Sequence, residues 1–362
     1  MAASLSPADV ELLICGSALG AHPGAEVVGI VSAAGESAAH LADRCVIVPR
    51  LLPCGECEPC RRGRVAVCAT RRPRPRHLAT REVVPARFLL PLEPPFVQAV
   101  PPADSWWRYA ALSDALLAPY SGLVRVGQSP GGLCVVLGGG ARAAAAVLVI
   151  RALGCQAAVL CPHADERERL CAPPYGALAA LDPAEHDSES ALRVLRELAV
   201  TAGLLPHGLT HLETTGSDAG RARALGLLEA GGVAVLLDRS EPLSDAPAAP
   251  SLATSLADPA GGARAMTQAT AVPSLAAPLI ADPSVGGMAL LQRVSDEQCQ
   301  ILGAGPGHPD LLPELVALLE RAQLDLSAFT RAVALGDAAA ELADRRAGRG
   351  DQLTLPIVRI DP

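Results

Sequence analysis

Apolar and polar positions are grouped in blocks along the middle of the chain, and the clearest block spans residues 133–161. It reads LCVVLGGGARAAAAVLVIRALGCQAAVLC, which is an apolar run, a glycine turn, an alanine-rich stretch, one more glycine and a second apolar run. A strand, a crossover helix and a parallel strand need about this length of chain. The pattern therefore predicts a β-strand–helix–β-strand unit.

The glycine turn of this unit has the pattern that binds dinucleotides. Gly138 and Gly140 fill the first two places of G-x-G-x-x-G, and Ala143 fills the third, where alanine is an accepted variant. The first glycine allows the tight turn, and the second lets a pyrophosphate approach the helix N-terminus. Glycine turns between strands and helices are common, so the motif is weak evidence when it stands alone.

A second block continues the alternation of strands and helices. Residues 208–238 read GLTHLETTGSDAGRARALGLLEAGGVAVLLD, which predicts a strand, a polar turn, a helix and another strand. The stretch 239–285 that follows is rich in alanine, proline and serine and has low complexity. Loops of that length are uncommon inside compact domains. We interpret it as an insertion between two strands.

Composition limits the class of protein. The chain has 362 residues, enough for two domains, and half of them are hydrophobic. The net charge is −8 and there is no long basic run, which argues against nucleic acid as a partner. Lysine and asparagine are absent, as in proteins from GC-rich genomes, so we do not interpret the many glycines and prolines as disorder. No apolar run is long enough to span a bilayer, and the N-terminus lacks a signal-peptide pattern.

Four cysteines in residues 54–68 are the most specific chemical signal. They are spaced C-x2-C-x2-C-x7-C within CGECEPCRRGRVAVC: Cys54, Cys57, Cys60 and Cys68. We predict a cytoplasmic protein, where thiols stay reduced, and the total of eleven cysteines does not suit a pure disulfide framework. Tetrahedral zinc takes four thiolates at about 2.3 Å and then has no open position for substrate. The cluster therefore predicts a structural zinc site.

This spacing, together with the upstream LADRCVIVPRLLPCGEC, resembles the structural zinc lobe of the medium-chain dehydrogenase/reductase superfamily, the zinc-containing alcohol dehydrogenases. The resemblance implies an α/β protein with a GroES-like β-rich catalytic domain and a Rossmann doubly wound parallel sheet. We expect the following division: 1–112 for the GroES-like domain with the lobe at 54–68, 113–285 for the Rossmann domain with the insertion 239–285, and 286–362 for the last Rossmann elements and the return to the catalytic domain.

The resemblance also implies positions for a catalytic zinc. ICGS is similar to the family's Cys-Gly-Ser/Thr motif, which makes Cys15 a candidate ligand and Ser17 a candidate proton relay. HPGAEVVG resembles the next motif and keeps Glu26, but Ala25 stands where the ligand histidine belongs. His22, three positions earlier, is either a substitute or an ordinary surface histidine, and Glu26 could also move into the metal shell.

The third ligand position in this resemblance is Asp114, at the start of an apolar segment. A zinc ligand and a helix N-cap are both open interpretations of this aspartate. The loops around the cleft are shorter than the family's, so the resemblance does not identify the substrate. Where relatives often have a threonine beside the nicotinamide, this chain has Ala118.

The residues expected to bind the adenosine ribose of the coenzyme also depart from the family's usual pattern. The acid that holds the adenosine ribose should end the second strand, and Cys161 stands there instead. His163 and Arg167 follow, and an arginine near this point can bind a 2′-phosphate. We therefore expect NADP in preference to NAD, with His163 and Arg167 as candidate binding residues.

These observations support two hypotheses. The first is a zinc-dependent, alcohol dehydrogenase-like oxidoreductase that moves hydride between NAD(P) and an alcohol or carbonyl, using Cys15, Ser17, Glu26 and Asp114. The second is a degenerate member that keeps the structural zinc and nucleotide fold as a binding or scaffold protein, as Ala25 indicates. The resemblance further implies a small-molecule substrate and a homodimer, while the net charge and the lengths of the apolar runs argue against nucleic acid or a membrane as partner.

Overall fold

The computed structural model describes most of the chain. The described residues are 5–20, 22–62, 67–73, 78–94, 97–98, 100–237, 292, 294–305 and 307–360. The insertion predicted at 239–285 lies outside them.

One sheet is built from both ends of the chain. Its order is β14-β15-β1-β2-β3-β7, and β6 pairs with β1 beside this path. A pair of short strands, β4 and β5, lies apart from it. Most pairs are antiparallel, and β14 pairs with β15 in parallel. The strands are β1 (Asp9–Ala18), β2 (Val27–Ala34), β3 (Cys45–Val48), β4 (Leu51–Leu52), β5 (Arg72–Pro73), β6 (Arg81–Pro85), β7 (Leu90–Pro91), β14 (Thr330–Ala334) and β15 (Leu355–Arg359).

The second sheet is wholly parallel and has six strands in the order β10-β9-β8-β11-β12-β13. In chain order this is 3-2-1-4-5-6, the doubly wound arrangement whose ligand crevice lies where the strand order reverses. The strands are β8 (Leu133–Leu137), β9 (Gln156–Leu160), β10 (Ala179–Leu181), β11 (Thr210–Glu213), β12 (Val233–Leu237) and β13 (Gln300–Ala304). The predicted fold class is confirmed.

Helices cover the parallel sheet and connect the two units. They are α1 (Glu58–Arg61), α2 (Leu117–Arg125), α3 (Gly140–Ala152), α4 (Ala164–Cys171), α5 (Ser188–Thr201), α6 (Asp218–Gly226), α7 (Leu312–Arg321) and α8 (Ala338–Arg346). Within the described ranges, none of these helices has the length and apolar character that crossing a bilayer would require. Nine of the thirteen residues of α3 are buried, including the unbroken run from residue 143 to residue 150, which explains why this run is apolar on all sides of the helix.

The burial patterns of the strands show where the hydrophobic core of each sheet lies. Strand β1 alternates half-buried and buried positions over its first half, as a strand with one covered face does. Strand β8 is buried at all five positions because helices lie on both faces of a parallel sheet. The largest apolar cluster runs from Cys15 in β1 through Trp107 to helix α3. The two sheets are therefore joined by packed side chains, and the candidate site lies at their junction.

Candidate functional site

The four cysteines of residues 54–68 come together as the sequence predicts. Each offers a sulfur atom, and all four sulfurs lie within 4.8 Å of one another. The Sγ–Sγ distance is 3.4 Å between Cys57 and Cys60 and 3.8 Å between Cys54 and Cys60. Four sulfurs at about 2.3 Å from a tetrahedral zinc would be separated by about 3.8 Å. The cluster therefore has the shape of a closed four-thiolate metal site.

Local hydrogen bonds prepare this cluster for a cation. Backbone N–H groups of Cys57 and Glu56 lower the pKa of the Cys54 thiol to about 5, and the Cys54 amide lowers the pKa of Cys68. Desolvation and the neighbouring sulfurs raise the pKa of Cys60 to about 12. Four thiolates this close repel one another, so a cation is needed to hold them all deprotonated.

Cys15 and Ser17 both lie on β1, facing the inside of the protein. Burial raises the pKa of the Cys15 thiol to about 11, and its sulfur lies 3.8 Å from the carbonyl oxygen of Leu13. Among the described residues, the buried Ser17 hydroxyl has no hydrogen-bond partner. The residue between them, Gly16, has no room for a side chain, because a Cβ there would lie 2.6 Å from the Trp107 carbonyl oxygen. Close packing of the backbone thus explains the glycine in this motif.

Asp114 is buried and ion-paired. The Nε atom of Arg50 lies 3.0 Å from its Oδ1, and the Nε2 atom of His22 lies 3.9 Å from its Oδ2. Helix α2 begins at Leu117, with no side-chain cap, so the interpretation of Asp114 as an N-cap is wrong. The interpretation of His22 as a surface residue is also wrong, since its side chain is 3% exposed. Asp114 instead belongs to a buried charged group.

Glu26 lies next to this group on the wall of the cleft. Its Oε2 accepts a hydrogen bond from the backbone N–H of Ala115 at 2.9 Å. Complete burial raises the pKa of Glu26 well above its ordinary value, and the nearby Asp114 carboxylate raises it further. A carboxyl group in this environment retains its proton more readily than one in water. Glu26 is therefore a proton-holding group at the inner end of the cleft.

These residues do not fit a catalytic zinc. Across the described ranges, the Cys54 cluster is the one group in which three or more metal-ligand side chains meet within 4.8 Å. Cys15 and Asp114 are not brought into such a group, and the positive charge beside Asp114 comes from Arg50. Their assignment as zinc ligands stays a prediction that this arrangement does not favour.

A cavity of about 760 Å³ connects the glycine turn with these buried acids. Gly138 and Gly140 line it, and so do Glu26 and Asp114. Gly138 has φ +123°, and a Cβ there would lie 2.6 Å from Thr214 Oγ1. The first glycine of the motif is thus required by the close approach of the loop after β11. The second, Gly140, has φ +69° and opens helix α3 toward the cavity.

The other predicted coenzyme residues have different positions. His163 lines the cavity, whereas Ala143 is buried on α3. Arg167 donates to the Cys161 carbonyl oxygen at 2.8 Å and forms an ion pair with Asp182 at 3.0 Å. The guanidinium expected to bind a 2′-phosphate is therefore already engaged with its own domain.

Sequence reasoning did not identify two residues that shape this site, Arg50 and Glu166. Glu166 lines the cavity, and its Oε2 accepts a hydrogen bond from the Gly140 N–H at 2.7 Å. An available signal was its position in the first turn of α4, just after β9. Arg50 carries no comparable signal, because its partner Asp114 lies 64 positions away in the chain.

Comparison with known proteins agrees with this architecture. Residues 1–94 match the alcohol dehydrogenase GroES-like domain. No curated protein sequence matches the chain. Among solved structures, galactitol-1-phosphate dehydrogenase from Escherichia coli is similar over 99% of this chain and 95% of its own, at 16% identity and a TM-score of 0.70.

Two further similar structures contain coenzymes. A protein from Sinorhizobium meliloti, assigned as a zinc-binding dehydrogenase and bound to NADP, is 17% identical, with 99% and 94% of the two chains covered and a TM-score of 0.66. An Escherichia coli protein described as a short chain alcohol dehydrogenase, complexed with NADH, is 14% identical over 99% and 94% of the chains, with a TM-score of 0.70. The resemblance stated from the motifs is confirmed, and at these identities it establishes the fold.

Proposed function

Because the chain has the fold of the zinc-containing alcohol dehydrogenases and their GroES-like domain at residues 1–94, we propose that it is an NAD(P)-dependent oxidoreductase acting on an alcohol or carbonyl group. The observation that supports this most directly is the cavity of about 760 Å³. It extends from the dinucleotide-type glycine turn to the buried carboxyl groups of Glu26 and Asp114. A coenzyme and a small substrate can meet in such a space.

In this proposal each part of the cavity has a separate role. The N-terminus of α3 binds the pyrophosphate through the backbone N–H groups that follow Gly140, whose own N–H is held by Glu166. The nicotinamide ring, when bound, supplies or accepts the hydride. Glu26, oriented by the Ala115 N–H, holds or donates the proton that accompanies reduction of a carbonyl oxygen. Ala118 lines the same cavity and leaves room beside this acid.

We infer that zinc binds at the Cys54 cluster and has a structural role. A closed shell of four thiolates has no coordination position for a substrate. None of the eleven cysteines, all of which the structure describes, is paired in a disulfide, which supports our proposal of a reducing, cytoplasmic location. We also propose a homodimer, because β13 is the outermost strand of its sheet among the described residues and two copies can pair there. Light scattering that gives the mass of a single chain would contradict the dimer.

The degenerate binding protein remains the second candidate, and one observation favours it. Arg50 forms an ion pair with Asp114, at the position where the family resemblance implies a zinc ligand. The two candidates separate in one experiment, in which purified protein is titrated with NADH and NADPH and then assayed with a panel of primary and secondary alcohols and aldehydes. Coenzyme binding with substrate-dependent turnover supports the oxidoreductase. Saturable coenzyme binding without turnover supports the degenerate protein. If neither coenzyme binds, the cleft serves neither as the active site of an oxidoreductase nor as a nucleotide-binding site.

A further inference from the structure

We propose that Glu166, which reaches the cleft from α4, replaces the ribose-binding acid missing after β9 and makes the cleft select NAD over NADP. This inference rests on the proposed binding of a dinucleotide. It reverses the preference for NADP that follows from Cys161 alone. Glu166 would be a specificity-determining residue, since its contact is with the coenzyme's adenosine half and not with the reacting atoms.

The position of Glu166 matches the position of the missing acid. Dinucleotide-binding folds hold the ribose hydroxyls with a carboxylate about 20 residues beyond the glycine turn, at the end of the second strand. Here β9 ends at Leu160, and Cys161 follows. The Cys161 sulfur lies 3.5 Å from Glu166 Oε2. The carboxylate is therefore beside the very side chain that replaced the acid.

Contacts with the glycine turn fix this carboxylate in place. Its Oε2 accepts from the Gly140 N–H at 2.7 Å, and a Cβ on Gly139 would collide with the same oxygen. The absence of a side chain at Gly139 thus makes room for the carboxylate. A carboxylate has two acceptor oxygens and about four lone-pair sites. It can hold the turn and still accept a hydrogen bond from a ribose hydroxyl.

Charge then decides between the two coenzymes. A phosphate monoester such as the 2′-phosphate of NADP carries between one and two negative charges near neutral pH. Glu166 is 5% exposed, so water screens its repulsion of that group only weakly. Asp165, the neighbouring residue, lines the same cavity and adds a second negative charge.

Arg142, Arg345 and Arg346 also line the cavity and supply positive charge, whereas the two arginines of α4 itself are already engaged. Arg167 is bound to the Cys161 carbonyl oxygen and to Asp182. Arg169 forms a two-point ion pair with Asp351, at 2.8 and 3.2 Å. A 2′-phosphate could recruit either guanidinium only by breaking an existing pair.

The test is a fluorescence titration with NADH and with NADPH, performed on the wild type, Glu166→Gln and Glu168→Gln. Glutamine keeps the size of Glu166 and an acceptor oxygen but removes the charge. Glu168 is exposed on the same helix, so its replacement is a matched control for the loss of one negative charge. Zinc content and circular dichroism confirm that each variant is folded.

We expect the wild type to bind NADH at least about tenfold more tightly than NADPH, since a hydrogen bond to a charged group and a repulsion both contribute. Glu166→Gln should reduce this ratio by about tenfold, and Glu168→Gln should preserve it. If the wild type bound NADPH as tightly as NADH or more tightly, or if Glu166→Gln left the NADH-to-NADPH affinity ratio unchanged, the role of Glu166 would be refuted. The proposed binding of a dinucleotide would not be affected by either result. No binding of either coenzyme would overturn the proposed function as well.

Discussion

His211 lies in the middle of the parallel sheet, where a histidine is costly. It is on β11, in register with Val135 of β8 and Ala234 of β12, both of which belong to the apolar cluster beneath α5 and α6. Within the part of the chain that the structure describes, neither ring nitrogen has a hydrogen-bond partner. Burial lowers the pKa of His211 from 6.5 to about 4, because a charged imidazolium would lose its hydration there.

This pKa shift predicts how stability depends on pH. Between pH 6.5 and 4 the unfolded chain binds a proton at His211 and the folded protein does not, so stability is present above this window and lost as the pH falls through it. A shift from 6.5 to about 4 corresponds to about 3 kcal/mol in the acid limit. Between pH 7 and pH 5 the loss from this one group is about 2 kcal/mol.

The substitution His211→Leu removes this titration and leaves an apolar side chain of similar size. We expect its free energy of unfolding in urea to fall by about 2 kcal/mol less than that of the wild type between pH 7 and pH 5. At pH 7 the variant should be more stable by about 1 kcal/mol or more, because two buried unpaired nitrogens are removed. Loss of zinc or of other charges at pH 5 affects both proteins equally and cancels in the difference.

A histidine on the surface provides the control. His40 is exposed, so His40→Gln should show the same loss of stability between pH 7 and pH 5 as the wild type. If His211→Leu lost stability in parallel with the wild type, the imidazole would have to be hydrated or protonated in the folded state. That result would refute the environment described for β11.

Two further predictions concern the cysteine cluster and the buried ion pair. Cys57→Ser should lower the zinc content from about one per chain to near zero and reduce the melting temperature. Replacement of the exposed Cys171 by serine should change neither quantity. An unaltered zinc content in Cys57→Ser would contradict a four-thiolate site. Arg50→Gln should reduce the free energy of unfolding by about 3 kcal/mol, because it leaves Asp114 buried without its cation. Arg349→Gln, which breaks an exposed ion pair with Asp344, should reduce it by less than about 1 kcal/mol. Similar effects of both arginine substitutions in urea denaturation would show that Asp114 is neutral or hydrated.

Much of the architecture could be predicted from local patterns. The strand–turn–helix–strand unit from Leu133 to Leu160 was recognisable because each element is short, apolar and separated by glycine. The cysteine cluster was recognisable for a similar reason, since its four ligands lie within 15 consecutive residues. The division expects residues 286–362 to include the return to the catalytic domain, and β14 and β15 of this stretch lie in the same sheet as β1.

The candidate site could be predicted only in part. Gly138, Gly140, Glu26 and Asp114, which the motifs single out, line one cavity. The expectations for Arg167 and for an N-cap at Asp114 depended on which neighbours these side chains meet. Those neighbours come from distant segments of the chain, so no local pattern could reveal them.

Local sequence patterns were sufficient to predict several strands and helices of the parallel sheet, the glycine turn and the cysteine cluster, because periodicity and short-range spacing are properties of adjacent residues. The arrangement of charged groups around the cleft, by contrast, depends on contacts between distant segments of the chain. Folding places Arg50 beside Asp114 and Glu166 beside Gly140, although 64 and 26 positions separate them in the chain. Burial and the distance between charges set their energies, and both quantities exist only once the chain has folded.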